Sequence, residues 1–234
     1  MKNKTKSTCS IFLAALVSAC GLQADNLPLT QEQQQALTPD EVLERLMEGN
    51  ARYVSGDINE PNIQARVEAS ASGQFPEAVI LSCLDSRVPS ELVFDAGIGD
   101  VFVGRIAGNI ENDDLLGSME FATKLSGSKL VMVLGHTSCG AIRGACAGAE
   151  LGHLTGLLDK IKPAIDHVHD FEESDRVASN DDFVDAVAQE NVVLTIANIR
   201  EKSPILAQLE ESGDIMIVGG IYDLETGQVV LLED

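Results

Sequence analysis

Tryptophan is absent from this chain, tyrosine occurs twice, and 16 Lys and Arg face 37 Asp and Glu, for a formal net charge of -21. The shortage of positive charge excludes nucleic acid as a partner, because phosphate backbones are held by cations that displace condensed counterions. It also sets a condition on self-association: like-charged copies repel, so a subunit interface must be strongly apolar. Long apolar runs are missing as well. The run Ile11 to Ala19 falls well short of the roughly 20 residues that a bilayer-spanning helix needs. Cysteine is scarce: of five, Cys9 and Cys20 lie in or beside that run, leaving Cys83, Cys139 and Cys146. With two of those assigned to a metal below, no structural disulfide is expected, even in an oxidising compartment.

What the chain does contain is concentrated in two strings, Cys83-Leu84-Asp85-Ser86-Arg87 and His136-Thr137-Ser138-Cys139-Gly140. Each follows an apolar run, Ala78 to Ser82 and Lys129 to Leu134, of the kind that forms a buried parallel strand. Residues two apart on an extended chain share a face, so Cys83 and Asp85 point the same way. Gly135 marks the chain leaving the second strand towards a helix, and His136 and Cys139 can converge at that entrance. In doubly wound α/β folds the carboxyl ends of adjacent strands are where ligands collect. Either string alone reads most simply as a buried thiol or a hydrogen-bonded core histidine. Together they offer two thiolates and an imidazole to zinc, and three protein ligands leave an open position for chemistry.

Other thiol chemistries fit less well. A phosphatase loop needs Cys and Arg six positions apart, whereas Cys83 to Arg87 and Cys139 to Arg143 are four apart. The His-x-Glu and Cys-x-x-Cys pattern of zinc deaminases is missing. Gly97-x-Gly99 precedes a strand instead of following one, so it fails as a dinucleotide loop. His167 and His169 face different directions on a predicted helix, the acidic stretch from Asp166 to Asp175 reads as solvated surface, and Cys146 reads as a buried free thiol.

The two strings, their order and their separation resemble the β class of carbonic anhydrases, and the likeness runs from about Leu37 to the end. The resemblance implies that Cys83, His136 and Cys139 bind Zn2+, and that Asp85 and Arg87 form a catalytic carboxylate and guanidinium pair beside it. In this family the Asp also binds zinc in a closed, inactive form, so Asp85 has two candidate roles. Gln74, nine residues before Cys83, and Phe102, three before Arg105, match residues that line the substrate pocket of the plant-type subgroup. Phe121 stands where that subgroup has a Tyr, fifteen residues before His136. The bicarbonate-regulated subgroup has a Trp three residues before the first zinc Cys, and Ile80 stands there instead, which disfavours that regulation.

The activity so implied is zinc-dependent, reversible hydration of carbon dioxide to bicarbonate and a proton, by zinc-bound hydroxide. Zinc acidifies bound water. Two thiolates donate more negative charge than imidazoles do, so this water should be less acidic than in a site made of histidines. Arg87 would hold Asp85 in a fork of N–H donors, ionised and off the metal. Alternatives on the same ligands are a carbon disulfide or carbonyl sulfide hydrolase and a non-catalytic periplasmic zinc-binding protein. Zinc storage has no need of an orienting carboxylate.

The predicted fold is a single α/β domain with a mainly parallel β-sheet flanked by helices and an N-terminal helical arm. Strands are expected at Asp100 to Val103 and Ile215 to Val218, a helix at Leu115 to Leu125, and an antiparallel edge strand at Val229 to Leu232. The arm, Gln31 to Gly56, should form helices outside the sheet core, and family likeness has it embrace a second subunit of a homodimer or homotetramer. Residues 1–24 read as an export signal, with Lys2, Lys4 and Lys6 before the apolar run, leaving 25–234 as the zinc domain. The protein is then periplasmic. Val17-Ser18-Ala19-Cys20 also resembles a lipoprotein signal, which would place lipid on Cys20 and make the membrane a partner.

Overall fold

The computed structural model describes residues 27–233; the segment expected to be an export signal, with Cys9 and Cys20, lies outside them. Five strands form one sheet in the order β2-β1-β3-β4-β5: β1 (Ala78–Ser82), β2 (Val101–Arg105), β3 (Leu130–His136), β4 (Met216–Tyr222) and β5 (Val229–Leu231). The first four are mutually parallel and β5 returns antiparallel to β4. The described helices are α1 (Gln31–Ala36), α2 (Pro39–Ser55), α3 (Ile63–Ser70), α4 (Ser90–Val93), α5 (Asp113–Glu120), α6 (Gly140–Cys146), α7 (Gly152–Leu158), α8 (Lys162–His167), α9 (Asp181–Lys202) and α10 (Pro204–Glu211). This is the expected α/β architecture.

Alternation along the strands divides the core. Val79, Leu81, Val131, Val133 and Ile217 pack under Val192, Ile196 and Ile199 of α9, Leu206 and Leu209 of α10, and Leu116 and Met119 of α5. The intervening residues Ile80, Met132 and Leu134 meet Val42 and Leu46 of α2, with Val93 and Phe94. Because helices cover both faces, β1 and β3 are buried at every position, which is why their sequences are continuous apolar runs.

The N-terminal helices begin at Thr30 and Thr38, each closing a capping box with Gln33 or Glu41, and Pro39 opens α2 where its missing N–H costs no hydrogen bond. They form helices, as expected, but α2 does not stay outside the sheet core: fully buried Val42 and nearly buried Leu46 belong to it and roof the chain's own sheet. Gln34 ties α1 down by donating to the carbonyls of Pro76 and Ser126 at 2.7 and 2.8 Å.

Among the boundaries that differ from the sequence reading are three near the site or the core. Gly135 does not end β3, which continues through His136; a Cβ there would lie 2.7 Å from Val192 Cγ2, so glycine admits the close approach of α9. Strand β4 likewise runs on past Val218 to Tyr222. The helix predicted through Leu125 changes at Phe121 into a π turn, where Ser126 N–H donates to the Phe121 carbonyl and Thr123 Oγ1 to Met119.

Asn50 joins three of these elements. Its buried amide donates to the carbonyls of Val93 and Gly227, both at 3.0 Å, and accepts from Val229 N–H at 2.8 Å. Asn50→Leu keeps the volume but strands all three backbone groups, and should lower the unfolding free energy by about 2–4 kcal/mol. Chemical denaturation of mutant and wild type measures the difference; equal midpoints and slopes would show that the three bonds contribute nothing.

Candidate metal centre

Strands β1 and β3 pair in parallel, with Ser82 opposite Leu134, so the next residues of each emerge side by side at the carboxyl edge of the sheet. Cys83 leaves β1 there, His136 ends β3, and Cys139 immediately precedes α6. One ligand atom from each of the three lies within 4.8 Å of the others, and all three side chains are buried.

The donor set fits zinc. The Cys83 and Cys139 sulfurs are 3.9 Å apart, and two thiolates at tetrahedral angles on zinc lie about 3.8 Å apart. His136 Nδ1 is 2.9 Å from the Thr137 carbonyl, which can only accept, so the proton belongs on Nδ1 and the lone pair on Nε2. Nε2 is buried without a hydrogen-bond partner. A buried imidazole nitrogen with a free lone pair, its opposite nitrogen fixed by a carbonyl, is what a metal ligand requires.

The charges are arranged to match. Cys83 is drawn down to about 4 by the hydrogen bond from the Cys139 thiol; burial opposes this, while His136 and the Gly108 N–H, 3.4 Å from the sulfur, assist. The same contact with Cys83 pushes Cys139 up, burial and the neighbouring negative charge adding to it. Without a cation the pocket therefore favours one thiolate, and a dication would relieve the cost of the second. Burial works to lower the pKa of His136, but the Cys83 sulfur, the Thr137 carbonyl and Asp85 outweigh it and the net shift is upward.

Asp85 reaches the rim of this cluster, with Oδ2 3.8 Å from His136 Nε2. Arg87 holds it by a fork: Nε to Oδ1 at 2.9 Å, Nη2 to Oδ2 at 2.7 Å, and the Arg87 backbone N–H to Oδ1 at 2.9 Å. The fork keeps the carboxyl well below the usual carboxylate range against an opposing effect of burial. Cys83, Asp85, Arg87, His136 and Cys139 are thus brought together. Gln74, Phe102 and Phe121 stand elsewhere in the chain. Gln74 precedes the amino end of β1, and Phe102 pairs with Val79, four residues before Cys83, or about 13 Å along the strand. Phe121 is half exposed and meets Phe102 edge to face, with ring centroids 6.1 Å apart.

Several supporting residues carry no motif. Arg105 donates to the carbonyls of Cys83 and Asp85 and so fastens the first string from behind. Gly108, at φ 72°, offers its amide to Cys83 where a Cβ would lie 2.7 Å from Ile161 Cδ1, and its carbonyl accepts from Asn191 of α9 at 2.8 Å. Ser138 adopts φ 53° and donates its N–H to Asp185 of α9 at 2.6 Å. A glycine after a strand was the only local hint of any of these; the Asn191 and Asp185 contacts join residues 83 and 47 positions apart. His167 and His169 do not enter the cluster, and His167 pairs instead with Glu190 at 3.0 Å. Cys146 is half-buried, and burial raises its thiol pKa.

Comparison with known proteins agrees with this geometry. The family model for carbonic anhydrase matches residues 78–229. Carbonic anhydrase 2 of Mycobacterium tuberculosis is 36% identical over 194 residues, covering 80% of this chain and 89% of that protein. The carbonic anhydrase of Mycolicibacterium smegmatis is 34% identical over 192 residues, with the same coverage of 80% and 89%. Among solved structures, the β-carbonic anhydrase CafA of Aspergillus fumigatus matches with a TM-score of 0.63 at 26% identity, over 83% of this chain and 90% of that one. The β-carbonic anhydrase CcaA gives 0.64 at 25% identity, over 82% and 95%. The chain belongs to the β-carbonic anhydrase family.

Proposed function

We infer that the protein is a zinc carbonic anhydrase that interconverts carbon dioxide with bicarbonate and a proton. The observation that carries this reading is the buried, unpartnered Nε2 of His136 beside two sulfurs and facing the Asp85–Arg87 pair, in a chain of this family. Cys83, His136 and Cys139 would hold the metal. Zinc bound there supplies Lewis acidity, lowering the pKa of a water at its open position towards neutrality.

The protein's own residues do the rest. Asp85, ionised, can only accept hydrogen bonds, so it orients an incoming O–H and aims the oxygen's lone pair away from itself, towards substrate. Arg87 keeps it ionised and turned to the rim, and the released proton passes to solvent because Asp85 is held too acidic to keep it. Thr137 fixes the His136 tautomer, and the Gly108 amide stabilises negative charge on Cys83. The resting arrangement proposed is the open one, with Asp85 on Arg87.

Gln74, Phe102 and Phe121 are proposed as pocket residues that act across a subunit contact, since within one chain Gln74 precedes β1, Phe102 lies along the sheet from the cluster and Phe121 packs on Phe102. Edge strand β2 offers an apolar groove for such a contact, formed with Leu115 and Phe121, and an apolar surface is what two strongly acidic copies need. A homodimer or homotetramer is the assembly proposed. Residues 1–24 are proposed as a removed export signal and the periplasm as the location, supported by the basic start and short apolar run.

Stopped-flow carbon dioxide hydration by metal-analysed protein tests the activity: wild type should carry one zinc per chain, and Cys83→Ser should lose both zinc and hydration. Full zinc and an unchanged rate in that variant would remove Cys83 from the ligand set. Arg87→Ala should retain zinc while its hydration rate falls about 10- to 100-fold, because the carboxylate is freed to swing to the metal. A structure of that zinc-loaded variant should show Asp85 off its former position; an unmoved carboxylate with full activity would deny Arg87 its restraining role. For export, intact-mass analysis of protein from the native envelope should find a chain beginning near Asp25 or a diacylglycerol-modified Cys20. An uncleaved Met1 on cytoplasmic protein would reject export.

A further inference from the structure

Ser138 has a backbone geometry that its own chemistry disfavours. Its φ of 53° lies in the left-handed region, where the Cβ of an L-residue crowds the following carbonyl and which glycine enters freely. It stands between His136 and Cys139, so its conformation sets the direction in which the chain returns to bring the Cys139 sulfur 3.9 Å from that of Cys83. The side chain itself is exposed.

The restraint comes from across the fold. Asp185 Oδ1 accepts the Ser138 N–H at 2.6 Å, a short bond to a charged acceptor. Asp185 is half-buried on α9, next to Val184 and two residues from Val187, both fully buried in the cluster that also holds Cys83 and Cys139. The acceptor is therefore carried by an element that cannot easily yield. A second tie runs parallel to it: Arg143 of α6 donates to Asp181 at 2.6 Å and to the carbonyl of Ala178. Together these fasten the turn and first helix after His136 to the start of α9.

We propose that Asp185 is a positioning residue for Cys139: its carboxylate pins the Ser138 amide in the left-handed conformation and thereby presents the Cys139 sulfur to the metal. The inference rests on the reading of Cys83, His136 and Cys139 as zinc ligands. Strained residues persist where their surroundings over-determine them, and groups one step beyond the ligands govern how firmly a metal is held.

The test is zinc affinity of the holoenzyme, measured by competition with a chromophoric chelator, together with the thiolate-to-metal absorption of the cobalt-substituted protein. Asp185→Ala should weaken zinc binding about 10- to 100-fold and reduce the thiolate band. Ser138→Gly should bind nearly as wild type does, and adding it to Asp185→Ala should recover most of the loss, because glycine enters the left-handed conformation without the steric cost that the carboxylate offsets. A general structural weakening would not be reversed by a glycine on an exposed turn. Asp185→Asn, which keeps the shape and exchanges a charged acceptor for a neutral one, should give the same pattern at smaller amplitude, and replaces the alanine variant if that one does not accumulate folded. Unchanged affinity in the Asp185 variants, or a loss that Ser138→Gly leaves in place, would overturn the proposal. Wild-type protein that takes up no zinc would instead overturn the ligand reading, and the proposal with it, before any variant is compared.

Discussion

The parallel pairing of β1 with β3 is the constraint from which the site descends. Two thiols and an imidazole have little reason to share a buried space: their sulfurs compete for one proton, and the Nε2 lone pair finds no donor. They are held together because register places Ser82 opposite Leu134 and delivers Cys83 beside the end of β3. That register is enforced by burial. A slip of one residue would turn Ile80, Met132 and Leu134 away from α2 and towards α9, and exchange the partners of every core side chain. The apolar energy of the sheet thus sustains an electrostatically unfavourable cluster, and a dication resolves it.

Around the cluster, charge is graded by distance. Two sulfurs and one imidazole supply the inner donors. The Asp85 carboxylate stands at the rim under the Arg87 fork, where it remains ionised without taking its place among the donors. The acidity of the chain as a whole, with 37 Asp and Glu, is a different matter. It bears on association between copies and on solubility, whereas the site depends on a handful of local dipoles: the Gly108 amide on Cys83, the Thr137 carbonyl on His136 and the Arg105 guanidinium behind the first string.

Helix α9 does more than cover one face of the sheet. Its buried side supplies Val192, Ile196 and Ile199 to the core, Asn191 reaches Gly108, and Asp185 reaches Ser138. A single helix thereby braces the turn that carries Cys139 and the segment whose Gly108 amide meets the Cys83 sulfur. This economy has a cost in tolerance: Gly135 must remain without a side chain, because α9 approaches β3 too closely for a Cβ.

Residue chemistry and short-range pattern were enough to reveal much of this protein. The runs Ala78 to Ser82 and Lys129 to Leu134 announced buried strands, since both faces of such strands must be apolar, and the two strings at their ends named the donors and the carboxylate pair. These features are local: identity, spacing and alternation contain them. Tertiary structure decided whatever depends on a neighbour distant in sequence. It carried β3 through Gly135 because α9 needs the room, and set Asn191 against Gly108 and Asp185 against Ser138. It also stationed Phe102 beside Val79, away from the metal donors, a separation that the spacing of Phe102 from Cys83 in the chain does not express. Periodicity records which face a residue shows, but the partner that meets that face is fixed only when the sheet and its helices close.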